Sequence, residues 1–364
     1  MKRIVATATI ALSAVLCPLP DGVQAQGDDT VYATIAAASV TNHILPRYER
    51  LAESGAALAA SADAYCADRD AAAFFALDRA FRAFWVRWAG IRHIQFGPIT
   101  YLDRAYRIQF WPDTRGKTGK QLARALAASD RDALSAERFA AASVALQGLP
   151  ALERILADGN SGYGDGKGAF RCELTRAIAG NLASISDELV ADWNPNDGYA
   201  HLIAVAGTGT GPYNEVSEVP VDLLQSVLGE LEASRDIRLG RPLGSAVDTA
   251  RPKLAEAWRS GLSREILAES VDGLADLYLN GGFDAALRSG GQEPLADRIQ
   301  VLFTRIAQDI STVGMPLYDA FGTTEGRQEL QTIRAGLKEL ADLIGTDLAV
   351  ALDISPGFNS RDGD

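Results

Sequence analysis

The chain has 364 residues, with 47 acidic against 35 basic side chains and a formal net charge of −12 at pH 7. A surface of that sign repels phosphate backbones and anionic headgroups, which excludes nucleic acid as a partner and is compatible with cations. Hydrophobic residues make up 47% of the chain, enough for a sizeable core, yet beyond the N-terminus no apolar run approaches the ~20 residues that span a bilayer.

Residues 1–25 read as a secretory signal: Lys2 and Arg3, an apolar run from Ile4 to Leu16, then small residues at Val23 and Ala25. Cleavage after Ala25 would remove Lys2, Arg3 and Asp21 and take the net charge from −12 to −13. Leu16 stands before Cys17 where a lipoprotein signal needs a small residue, so Cys17 is read as part of the apolar run. The expected location is the periplasm or cell envelope, with no transmembrane segment in the mature chain. Only Cys66 and Cys172 then remain, an even pair in an oxidising compartment. One disulfide between them is the simplest reading. The alternative, a two-thiolate metal site, needs further Cys or His nearby in sequence and finds none.

Helical apolar spacing predicts helices over 31–65, 70–96, 99–109, 118–129, 134–157 and 170–193. Within the second of these, Phe74, Leu77, Phe81, Phe84, Trp88 and Ile91 form one aromatic stripe, read as bundle core rather than a cofactor box. Breaks carry Gly97-Pro98, Trp111-Pro112-Asp113 and a glycine-rich loop from Asp158 to Gly168. That loop follows a helix and lacks a Gly-Lys-Ser/Thr ending, so it is not a phosphate loop. Residues 194–220, rich in Gly and Pro, mark a linker. Beyond it, helices are predicted over 221–238, 251–259, 263–279, 292–313 and 324–352, with Leu295, Ile299, Leu302, Phe303, Ile306 and Ile310 repeating the helical pattern. No sustained period-two alternation predicts a strand. The expected fold is all-α, with two related helical-bundle domains, 26–193 and 221–364, packed together and a ligand site where they meet. An echo between Trp88-Ala-Gly-Ile-Arg-His93 and Trp258-Arg-Ser-Gly-Leu-Ser263 suggests internal duplication.

Five segments, Ile94-Gln-Phe-Gly-Pro98, Phe110-Trp-Pro-Asp113, Gln147-Gly-Leu-Pro-Ala-Leu-Glu153, Ala257-Trp-Arg-Ser-Gly261 and the terminal Gly357 to Asp364, together resemble the imelysin-like family. The resemblance implies an all-helical envelope protein of two related bundles, often linked to iron acquisition and carrying the peptidase label M75. The family signature is Gly-x-His-x-x-Glu, a spacing that lets histidine and glutamate project from one helical face toward a metal. Here Gly148 and Glu153 match, while Pro150 replaces the histidine. Proline offers no lone pair to a metal and is tolerated best in a first helical turn, so a helix is expected to restart near Pro150. Glu153 is then either a ligand to iron or another divalent cation, or a helix-start carboxylate favoured by the macrodipole.

The remaining histidines, His43, His93 and His201, have no carboxylate at the third or fourth following position. His93 is the first candidate to join Glu153 at a metal; the other reading is a hydrogen-bonded histidine at a helix end. Arg107, Asp113, Gln147 and Arg259 complete the candidate ligand-binding set, with Arg92, Arg115 and Ser260 beside them. The arginines could clamp a carboxylate or chelated-metal anion, or form ion pairs with Asp103, Asp113 or Glu256 that fasten helices; the second reading is preferred. Three functions follow. The first is a non-catalytic binding protein for iron or a chelated metal, working with an envelope protein partner. The second, a metallopeptidase, lacks two histidines at helical spacing and is disfavoured. The third is an envelope protein- or polysaccharide-binding module that uses exposed aromatics such as Trp111. No Ser or Cys sits in a nucleophile turn or beside a histidine base.

Overall fold

The structure, a computed structural model, describes residues 28–157 and 166–355. The predicted signal peptide, most of the glycine-rich loop and the terminal segment from Gly357 lie outside the described residues. Among those described there is no strand, and no helix is long and apolar enough to cross a membrane.

The first helix α1 (Asp29–Ala38) runs through a π-helical segment, Ser39–Ile44, into α2 (Leu45–Asp68), and α3 (Ala71–Ala89) follows with Asp70 capping its first turn. A 3₁₀ segment leads to α4 (Arg104–Ile108), then α5 (Lys117–Ala128), α6 (Ala136–Ala140), α7 (Val144–Gln147), α8 (Leu149–Ala157) and the long α9 (Gly166–Asp192). After α10 (Tyr199–Ala204), α11 (Glu218–Glu232) passes through a second π-helical segment, Ala233–Gly240, into α12 (Arg241–Leu243). The chain closes with α13 (Ser263–Asn280), α14 (Phe283–Ser289), α15 (Glu293–Thr312), α16 (Leu317–Ala320), α17 (Thr324–Asp342) and α18 (Ala349–Ala351).

The first core lies between α2, α3 and α9, where Tyr48, Leu58, Phe81 and Phe84 are fully or almost fully buried. The Cys66–Cys172 disulfide ties the end of α2 to α9, as the cysteine count predicted. A second core joins α11, α13, α15 and α17. The two are not merely adjacent. The helix α1 packs on α10, α11 and α14, and the Tyr32 hydroxyl donates to the carbonyl oxygens of Leu352 (3.0 Å) and Asp353 (2.8 Å), bringing early and late chain together. α3 packs on α13, with closest approach at Gly90 and Gly273: a Cβ on Gly273 would collide with the Gly90 carbonyl oxygen.

Tertiary contacts reshape several predicted helices. The helix expected over 70–96 stops at Ala89. That over 134–157 is broken into α6, α7 and α8. The helix expected over 251–259 does not form: a 3₁₀ turn, Pro252–Leu254, gives way to turns, with Ala257 in the left-handed region at φ 51°. Its polar residues explain why. Glu256 is drawn into a buried ion-pair network and Ser260 onto Glu153, contacts that one straight helix would not supply together. The echoed tryptophans therefore differ in local structure, Trp88 being helical and Trp258 lying in a turn.

Candidate functional site

The segments Phe110–Asp113, Pro150–Arg154 and Ala255–Arg259, distant in sequence, line one cavity of about 190 Å³. Gly148 prepares it. A Cβ there would collide with the carbonyl oxygens of Arg107 and Ile108, so glycine lets α7 and α8 pass against the end of α4. The helix restarts at Leu149 with Pro150 in its first turn, as expected, and presents Glu153 from the following turn.

Glu153 is 4% exposed, and its Oε1 accepts the Ser260 amide at 3.0 Å and the Ser260 hydroxyl at 2.9 Å. Burial pushes its carboxyl pKa up; the Ser260 donors and the Arg259 guanidinium only partly oppose this. Glu153 is thus more than a helix-start carboxylate: it clasps α8 to the turn before α13. Beside it the Arg259 guanidinium lies 4.1 Å from the centre of the Trp258 ring, which stacks on Tyr318 and carries Lys253 at 5.8 Å. Arg238 lies over Trp111, whose bond to Pro112 is cis.

Asp113 lines the same cavity but spends its oxygens on α5, accepting the Lys117 and Thr118 amides at 2.8 Å each. Burial opposes its charge, and these amides outweigh burial, holding the pKa below the usual carboxylate value. Arg107 and Gln147 lie elsewhere. The guanidinium donates to Gln147 Oε1 (2.8 Å) and Asn181 Oδ1 (3.0 Å), fastening α4, α7 and α9 at the edge of an open groove. His201 is exposed on α10.

His93 and Glu153 are engaged by different partners. His93 Nε2 lies 2.9 Å from His43 Nε2, and His43 Nδ1 lies 2.7 Å from Asp276 Oδ2. Asp276 also accepts from Arg47, which reaches from α2 to Glu269, Asp272 and Asp276 on α13. Next to this cluster is a second one. Arg92 pairs with Glu230 and Glu256, and Arg238 pairs with the same two carboxylates. Gln109 and Trp85 add hydrogen bonds to Glu256. Arg92 therefore forms an ion pair with Glu256, as the sequence suggested, but between the turn after α3 and the turn before α13 rather than between two helices. Both His43 and Arg238 sit in π-helical segments. Arg47, Glu230, Arg238 and Asp276 were not singled out by the sequence; the one local signal was acidic residues at 269, 272 and 276, which share one side of α13.

A metal at the motif position would need ligands that these residues do not offer. Proline stands in the histidine's place, Glu153 Oε1 is bound by Ser260, and no group of three His, Cys, Asp or Glu among the described residues is placed to hold an ion. The cavity is instead rich in cations, with Arg154, Arg241, Lys253 and Arg259 against Asp113 and Glu153.

The family model described as Imelysin, peptidase family M75, matches residues 44–344. Among solved structures, an imelysin-like protein from Psychrobacter arcticum 273-4 is similar at 21% identity, covering 91% of this chain and 98% of that one with a TM-score of 0.77. A putative iron-regulated protein A precursor from Parabacteroides distasonis ATCC 8503 is similar at 14% identity, covering 90% and 97% with a TM-score of 0.73. No curated protein matches.

Proposed function

Since the chain belongs to the imelysin family, we propose that it is an exported, non-catalytic binding protein that serves iron acquisition by holding iron as a small anionic chelate. The observation that carries this reading is the convergence of three separated family segments on one cavity with four cationic side chains, two of them beside the ring of Trp258. Guanidinium and ammonium groups bind carboxylate or other chelator oxygens through charge-assisted hydrogen bonds, and a planar chelator has an aromatic surface to lie on. A bare cation would meet net positive charge there. The similar fold of a protein named as iron-regulated agrees with an iron connection. Peptide hydrolysis by a bound metal would require three protein ligands and an activated water, and the motif carboxylate is committed to Ser260.

The test is calorimetry on the mature chain with ferric citrate, citrate alone, and ferrous or ferric ion alone. The chelate is expected to bind, and Arg259→Ala to weaken it by roughly tenfold, the worth of one charge-assisted contact. Equal binding of bare ferrous ion, or no response to the chelate, overturns the reading.

A further inference from the structure

The open groove that Arg107 borders has a volume of about 840 Å³ and runs between α6 with the turn before it, α9, and the later half of α2. Most charges along it are already matched: Arg131 pairs with Glu173 at 2.7 Å, Arg176 with Asp63 at 2.5 Å, and Glu188 with Arg104 at 3.0 Å. Arg107 is not. It is 8% exposed, and its partners, Gln147 Oε1 at Nε and Asn181 Oδ1 at Nη2, are both neutral. Arg47, Arg92 and Arg104, as deeply buried, each hold at least two carboxylates, and Arg327 spends its Nη nitrogens on carbonyl oxygens. A buried cation without a counter-charge is costly, and burial lowers the Arg107 pKa, with Arg104 adding to the effect and Glu188 opposing it. Two of the five N–H groups are used, so three remain. Nη1 makes no hydrogen bond among the described residues, yet unlike Arg104 Nε it is not sealed from solvent. The opening that Arg107 lines is the groove, and Nη1 is the donor it offers there.

The floor beside this guanidinium is kept clear. Arg176, Ala177, Gly180 and Ser184 follow one another at steps of one, three and four along the groove side of α9. Glycine is disfavoured inside a helix, and packing does not ask for it at position 180, because a Cβ there would meet nothing within 4 Å. What the missing side chain leaves is room next to Asn181, which holds Arg107. The surrounding charges then narrow the ligand. Asp63, Asp132, Glu173 and Glu188 on the walls repel a multiply charged anion, whereas a single guanidinium with free Nη donors suits a planar monoanion that can accept two parallel hydrogen bonds. Ala136, Ala140 and Ala177 give the body of such a ligand small apolar surfaces to lie on. We propose that this groove is a second binding site, for the carboxylate of an amino acid or of a peptide end, which pairs with Arg107 beside Gly180.

The probes are N-acetylalanine and N-acetyl-trialanine, each as the free acid and as its C-terminal amide, and inorganic phosphate, titrated by calorimetry at millimolar concentration into the full mature chain. The free acids are expected to bind, and the amides to bind at least about tenfold more weakly, the worth of one charge-assisted contact. The tighter of the two acids tells a single amino acid from a peptide end. Arg107→Gln should erase the preference for acid over amide. Because that variant also loosens the junction of α4, α7 and α9, the decisive one is Gly180→Leu, which fills the open space. It should weaken the acids at least about tenfold while leaving Tm unchanged or raised, since leucine favours the helix. Arg259→Ala, in the other cavity, should leave acid binding as it is, so this site and the chelate site can fail separately. The proposal is overturned if neither acid binds, if acid and amide bind equally, if phosphate binds more tightly than both acids, or if Gly180→Leu binds the acids as the native chain does.

Discussion

Two buried carboxylates, Glu153 and Glu256, lie where helices from before and after residues 194–220 meet, and they are compensated in opposite ways. Around Glu153 the direct hydrogen bonds come from neutral groups, the Ser260 hydroxyl and amide and the Arg259 backbone amide, and burial wins: its pKa is raised. Around Glu256 burial also opposes ionisation, but the guanidiniums of Arg92 and Arg238 overcome it and hold the pKa to about 2. One is therefore a clasp that charge weakens, the other a charge on which its neighbours depend. The motif residue is the less demanding of the two, and the deeper polar structure is built from residues outside the motif.

The sharpest way to break this contrast is to remove the charges that balance Glu256. Arg92→Met leaves Glu230 and Glu256 buried with Arg238 alone, and should cost about 3–5 kcal/mol in urea unfolding, as removing one partner of a buried pair does. Glu153→Ala strands uncharged donors, those of Ser260 and the Arg259 amide, and should cost about 1–3 kcal/mol. Equal losses would mean that the two carboxylates are not different in kind.

Next in size is the disulfide, remote from both. Closing 106 residues of sequence separation, it should contribute about 2–4 kcal/mol, lost in Cys66→Ser/Cys172→Ser. Because it carries no titrating group, the pH profile of stability should keep its shape while falling as a whole. A changed shape would show that the bond holds the ionic clusters in register.

The pH profile separates the histidine cluster from the carboxylates. Burial lowers the pKa of His43 from 6.5, despite the opposing bond to Asp276, and lowers that of His93 further, helped by the nearby charges of Arg47 and Arg92. The unfolded chain then takes up protons first, so this contribution is complete above pH 6.5 and is lost as pH falls from there toward the folded values. Glu256, with an ordinary value of 4.5, loses its contribution later, as pH falls from 4.5 through about 2. Stability measured by denaturant at successive pH values should therefore drop in two stages, and His93→Gln should diminish the upper one. A single stage below 4.5 would remove the histidines from the account.

How much of this was legible in sequence follows from which interactions are local. Helical periodicity and the helix restart at Pro150 are set by neighbours along the chain, the Cys66–Cys172 pair followed from there being two cysteines to join, and all appear in the structure. The helix expected over 251–259 was lost to contacts more than 100 residues away: Glu153 takes Ser260 and Arg92 takes Glu256. Arg107 and Gln147 were singled out as ligand candidates and are brought together, but on each other. Of the singled-out residues, Asp113, Glu153 and Arg259, with Trp111, line one cavity, while His93, Arg107 and Gln147 do not. The cavity's charge balance was not legible, because Arg241 and Lys253 enter from a part of the chain with no motif.

The smallest expected effect is the most discriminating. Glu153→Gln keeps a carbonyl oxygen for both Ser260 donors and removes the charge that burial disfavours. A raised folded pKa means that the native carboxyl holds its proton more tightly than the unfolded one. Its favourable contribution is complete below the ordinary value of 4.5 and is lost as pH rises through the folded value. The glutamine has no such loss, so relative to the native chain Glu153→Gln should gain stability between pH 4.5 and 7 and differ from it by no more than about 1 kcal/mol at neutral pH. A carboxylate that held a metal would behave in the opposite sense. Its replacement would abolish any rise in Tm on adding the ion, and would lower stability most at neutral pH, where the charged form is needed. Urea unfolding at pH 5 and pH 7, with and without ferrous ion, distinguishes the two, and a loss of more than about 2 kcal/mol at pH 7 would return Glu153 to the role of a required charge.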